Sequence, residues 1–124
     1  MARAPVMIAM LLSCTGPTPN AGDPLGAWPA DPVALAMFCP TLPFPELITT
    51  CRVQAAADLG RAGQGDAAAA VCAEIPAGTW REECHFRAGE ELGRAGRTVA
   101  TLQHCAKAGW FGRNCLTHAG WNLP

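Results

Sequence analysis

Beyond residue 30, apolar positions recur every three or four residues, and the pattern reads as a succession of helices. Asp31 precedes Pro32 as an N-cap precedes a proline at the first helical position, where the missing N–H costs nothing. A short helix is therefore expected over residues 33–38, ending near Pro40. A longer helix is expected over residues 46–62, where Leu47, Cys51, Ala55 and Leu59 form one apolar stripe. A second long helix opens on the capping-box sequence Thr79-Trp80-Arg81-Glu82, and its stripe is Trp80, Cys84, Ala88 and Leu92. Gly63 and Gly96 stand where glycine ends helices, and further short helices are expected to begin near Asp66 and Thr98. No segment alternates like a strand. The expected fold class is all-α.

The same pattern repeats. Cys39, Cys72 and Cys105 are 33 residues apart, as are Cys51 and Cys84. The pentapeptide LGRAG occurs at 59–63 and again at 92–96. Leu47, Trp80 and Phe111 each precede a cysteine by four residues, and Ala55, Ala88 and Ala119 each follow one by four. A period of this length marks stacked units that bury their apolar faces against one another. The chain is expected to form about two and a half helix–turn–helix repeats of 33 residues, superhelix-like, over residues 31–124. The third copy is two residues shorter between its cysteines.

Six cysteines allow fifteen pairings, and helix geometry narrows them. Cys39 and Cys51 lie six residues on either side of a turn near residue 45, so they can face each other across a hairpin. Cys51 and Cys72 lie unequal distances from the turn near residue 64, a mismatch of roughly 7 Å along the helices, too large for a disulfide. The expected bridges are Cys39–Cys51, Cys72–Cys84 and Cys105–Cys115. Each would contribute roughly 3 kcal/mol in the chain-entropy model. So small and Ala-rich a domain needs such staples.

Ten acidic residues against nine basic ones leave no basic stripe for nucleic acid. A metal reading uses His104, Cys105, Cys115 and His118 as a four-ligand zinc set, with His85 beside Cys84. The bridges already account for the cysteine spacing, so no metal or other cofactor is expected, and the histidines read as surface or half-buried helix residues. The alternative to a binding role is a periplasmic metal-binding protein built on the third-repeat Cys and His. Glu83, Arg87 and Glu91 read as ion-pair partners spaced along a solvated helix face. Ser13 is the only serine, so no serine nucleophile lies beyond the apolar start, and no phosphate loop or HExxH occurs. The chain is not expected to be an enzyme; a small carboxylate hydrolase ranks last.

The seventh cysteine stands apart. Arg3 is followed by an apolar run over residues 6–12 and then Ser13-Cys14, too short to span a bilayer. Leu11-Leu12-Ser13-Cys14 resembles the lipobox of bacterial lipoproteins. The resemblance implies a signal peptide over residues 1–13, removed so that Cys14 becomes an acylated (palmitate-type) first residue. Residues 14–30 would then be the lipidated N-terminus and a Gly/Pro-rich linker spanning on the order of 20 Å. It also implies a cell-envelope location, with Thr15 in place of an aspartate tilting towards the outer membrane, facing the periplasm or the cell surface.

The 33-residue two-helix unit, with Leu59-Gly60 and Leu92-Gly93 near helix ends, resembles tetratricopeptide-like repeats and the cysteine-rich helical repeats exported by some bacteria. No tyrosine follows the Leu-Gly pairs, so only architecture carries over. Such repeats act as scaffolds, which implies a protein or peptide partner or self-association, besides the membrane anchor. Trp110 and Trp121 are the residues expected to cover the open end of the array.

Overall fold

The computed structural model describes residues 28–120; Cys14, the expected signal and Trp121 lie outside the described residues. Six α-helices follow in order: α1 (Pro32–Phe38), α2 (Pro45–Arg61), α3 (Gly65–Ala73), α4 (Thr79–Arg94), α5 (Thr98–Ala106) and α6 (Gly112–Gly120). Two 3-10 turns, Cys39–Thr41 and Gly109–Phe111, follow α1 and precede α6. No strand occurs among the described residues, so the fold is all-α.

Local chemistry sets the helix ends. The Asp31 carboxylate accepts from the Ala34 N–H at 2.9 Å, with Pro32 at the first helical position. LGRAG forms the same cap twice. Gln64 N–H donates to Leu59 C=O at 2.9 Å and Gly63 N–H to Gly60 C=O at 2.9 Å, closing α2 in a Schellman motif. Arg97 and Gly96 repeat both bonds on Leu92 and Gly93 at 2.9 and 3.1 Å. Gly63 and Gly96 take φ of 78° and 74°, a conformation that a Cβ penalises. The expected capping box at Thr79 does not form. Gly78, at φ 143°, makes the turn and stands at the N-cap, which places Thr79 inside the helix. Arg81 instead turns back to the end of α3, donating to the carbonyls of Ile75 at 2.6 Å and Ala73 at 3.2 Å.

Helices α2 and α4 form the most extensive pairing; α4 also packs on α6, and α1, α3 and α5 lie against these long helices. Glycine permits the close crossings. A Cβ at Gly60 would stand 2.8 Å from the Ala88 carbonyl oxygen, and one at Gly93 would stand 3.1 Å from the Ala119 Cα. The main core joins Leu35, Leu42, Val53, Leu59, Val71 and Ile75 to the alanines of α2 and α4. Cys51, Ala55 and Leu59 are buried as their stripe requires, and so are Cys84, Ala88 and Leu92. Trp80 departs from its stripe and is 57% exposed, beside Pro45, Glu46, Thr49 and Thr50 at the start of α2.

Three disulfides join consecutive cysteines: Cys39–Cys51, Cys72–Cys84 and Cys105–Cys115, with Cα separations of 5.5, 5.6 and 5.3 Å. The first ties the 3-10 turn after α1 to α2, the second ties α3 to α4 and the third ties α5 to the equally short α6, and all six cysteines are buried.

Candidate functional site

The chemistry-bearing residues of the interior are two histidines. His85 lies on α4 directly after bridged Cys84, and His104 lies on α5 directly before bridged Cys105. Both are buried, which corrects the expectation of surface or half-buried rings. Their Nδ1 atoms are 3.0 Å apart, and His104 Nε2 is 2.8 Å from the Gly65 carbonyl at the start of α3. One pair therefore connects three helices.

The hydrogen bonds define where the protons are. A carbonyl oxygen can only accept, so His104 Nε2 carries a proton and, in the neutral ring, its Nδ1 is an acceptor. His85 Nδ1 must then be the donor across the 3.0 Å contact. A second proton on His104 would require His85 to move its own proton to Nε2 and accept at Nδ1. Electrostatics agrees with the neutral pair. Burial first, then the charges of His104, Lys107 and Arg81, pushes the His85 pKa down to about 4. His104 is also shifted down, chiefly by burial, with Lys107 acting in the same direction and Gly65 and Asp66 opposing it.

Above His104 lies an open cleft of about 470 Å³ between α3 and α5, lined by Gly65, Asp66, Ala69, Gln103, Ala106 and Lys107. Its rim carries one carboxylate, Asp66, and one ammonium group, Lys107. Both nitrogens of His104 are already engaged, so the ring offers no lone pair to a molecule in the cleft. The arrangement holds helices together; it does not pair a nucleophile with a base.

The zinc set suggested by the spacing is not assembled. Cys105 and Cys115 are joined to each other, and a disulfide is not a thiolate ligand. His104 faces His85, whereas His118 Nδ1 lies 2.9 Å from Glu90 Oε2 on α4. Among the described residues no three His, Cys, Asp or Glu side chains are grouped to hold a metal ion. The expected ion pairing along α4 is also rearranged. Glu91 reaches across to Arg61 of α2 at 3.4 Å and along its own helix to Arg94 at 2.7 Å, rather than to Arg87.

The histidine pair was not read from sequence. Each ring is the neighbour of a bridging cysteine, but adjacency alone does not bury a residue, since Leu116 beside Cys115 is half exposed. No helix of the described residues is long and apolar enough to cross a membrane. Comparison of the chain with protein-family models, curated proteins and solved structures finds no match. The fold and the site define a class, a disulfide-stapled all-helical domain with a buried histidine pair.

Proposed function

We propose that this chain is a lipid-anchored cell-envelope protein whose stapled helical repeats act as a non-catalytic module binding a protein or peptide. The observation that carries the reading is the recurrence of whole contacts, not only of letters. The Schellman bonds of α2 and α4 recur at the 33-residue step, and the close approaches of Gly60 to Ala88 and Gly93 to Ala119 recur with the glycines 33 residues apart and the alanines 31. Units that dock on one another through the same contacts form a tetratricopeptide-like array of about two and a half repeats, with surfaces suited to extended partners. The disulfides fit an oxidising compartment. Cys14 has no counterpart in the period and ends a lipobox-like segment, which supports its acylation and an outer-membrane anchor. The exposed apolar side chains Met37, Val99, Leu102 and Trp110 supply contact surface.

Intact mass of the purified mature protein, with and without reduction, tests the reading. It predicts a chain beginning at Cys14, an added acyl mass and a gain of two hydrogens per bridge on reduction. An unmodified Cys14 or six free thiols in the unreduced protein would sink it.

A further inference from the structure

We infer that the α3–α5 cleft is a binding site for a short peptide with free ends, of dipeptide size. Such a site rests on the partner-binding half of the reading above and gives it a ligand.

The period places a counterpart of the cleft one unit earlier. On α1, Val33 and Ala36 form one wall of a groove of about 340 Å³, and Ala70, Val71 and Glu74 of α3 stand on the other. Advancing each by 33 residues gives Asp66 and Ala69 of α3 and Gln103, His104 and Lys107 of α5, which line the cleft. The shape repeats while the chemistry changes. One valine has become aspartate, an alanine glutamine, the other valine histidine and the glutamate lysine. Over the same step the positions that bury one unit against the next keep their identity: Cys51 and Cys84, Ala55 and Ala88, Leu59 and Leu92. Exposure does not account for the difference. The earlier groove is open as well, with Val33 48% exposed on its wall, and it is still mostly apolar.

Apart from His104, the new polar side chains serve no contact inside the fold. His104 is engaged by His85 and the Gly65 carbonyl. Among the described residues the side chains of Asp66, Gln103 and Lys107 make no hydrogen bond or ion pair. In the earlier unit the counterpart of Lys107 is held, since Glu74 pairs with Arg52 at 3.3 Å. The residue 33 positions beyond Arg52 is His85, which turns to His104 and leaves Lys107 to the cleft. Arg97 lines the hollow on the other side of Asp66, and among the described residues no ion pair joins the two.

The order of these groups selects the ligand. The Asp66 carboxylate on α3 accepts from an ammonium group, and the Lys107 ammonium on α5 donates to a carboxylate. Gln103, one turn before Lys107 on the same helix, both donates and accepts, as a peptide amide requires. A simple anion or cation would meet one partner and face its own sign across the cleft. Ammonium, amide and carboxylate in one small molecule describe a dipeptide. Two extended residues span about 7 Å, which suits a gap between neighbouring helices, whose axes lie about 8–10 Å apart. The volume, about 470 Å³, is that of a small-molecule site, and Ala69 and Ala106 leave room for side chains.

Amide NMR of the isotope-labelled, oxidised full chain tests the site, with alanyl-alanine as the probe. Shifts should concentrate in α3 and α5 and saturate at millimolar peptide. Acetylating the amino end of the probe, or amidating its carboxyl end, should each weaken binding about tenfold. Asp66→Asn should weaken the unblocked probe by the same factor and remove the penalty for acetylation alone. Lys107→Gln should remove the penalty for amidation alone. Met37→Ala, beside the earlier groove, should change nothing. Circular dichroism checks that the variants stay folded. No saturable shifts in α3 and α5, equal binding of the blocked probes, or variants that weaken every probe alike would overturn the inference. Alanine binding as tightly as alanyl-alanine would overturn the dipeptide in favour of a single amino acid. Shifts confined to the α1–α3 groove would overturn this site and leave the partner-binding reading standing, while acylation of Cys14 is decided separately by intact mass.

Discussion

The two cores of this small domain are built from different materials. The first runs through α1–α4 and contains Leu35, Leu42, Leu59, Val71 and Ile75. Among the described residues the second, around α5 and α6, has no buried leucine, isoleucine or valine on those two helices. It consists of Cys105, Ala108, Cys115 and Ala119, with Phe86 and Phe111 packed on it. Burial of large aliphatic groups, worth roughly 1.5–3 kcal/mol each, sustains the first region. The second has little of that and depends on a covalent bridge, a polar pair and close backbone approach. Such a region is expected to open before the rest.

The largest effect that would test this contrast comes from Leu59→Ala. Leu59 is 1% exposed at the α2 end of the first core, and its truncation should cost about 3 kcal/mol. Denaturant unfolding should show both regions losing structure together, because α4 is common to both. Loss confined to α1 and α2 would refute that shared role. Removing the third bridge with a Cys105→Ala, Cys115→Ala double substitution should also cost up to about 3 kcal/mol, but locally. Amide exchange should lose protection in α5 and α6 while α2 and the start of α4 keep theirs. Uniform loss would dissolve the distinction between the regions.

Acid provides a reversible version of the same test. His85 and His104 have pKa values lowered by folding, so between about 4 and 6.5 the unfolded chain binds more protons than the folded one. Their contribution is complete above the ordinary histidine pKa near 6.5 and declines as the pH falls below it. For His85 the decline is at most about 1.4 kcal/mol per pH unit and levels off below about 4. Thermal unfolding from pH 7.5 to 4 should show it, with α5 exchange accelerating first. His85→Phe should flatten its own part of the profile; an unchanged slope would remove His85 from the account. The smallest effect belongs to Asp31→Ala, which removes the α1 cap and should cost about 1 kcal/mol. It should fray α1 without altering exchange in α5 or α6.

Much of this organisation was legible because it is local. Helix periodicity, the Asp31 cap, the glycine ends of α2 and α4 and the nearest-neighbour cysteine pairs depend on residues close in sequence. LGRAG was recognisable as a recurrent helix end, but its second task was not. Gly60 and Gly93 also let neighbouring long helices approach, and that follows from crossing geometry. The misread residues share this cause. The Glu91 partners, the exposure of Trp80 and the meeting of His85 with His104 are set by which helix lies opposite, information that a stripe along one helix does not contain. The capping box failed for a nearer reason: the glycine before Thr79 is the better turn former.

The bridges join the first cysteine of the folded domain to the second, the third to the fourth, and the fifth to the sixth. A chain translocated amino end first and oxidised as its thiols emerge would form this set in order of appearance, without reshuffling. That holds only if counting begins at Cys39. A free thiol at Cys14 would emerge ahead of it and displace every later pair by one. The proposed acylation of Cys14 would thus do a second service, keeping the assembly line in step before any of the domain has folded.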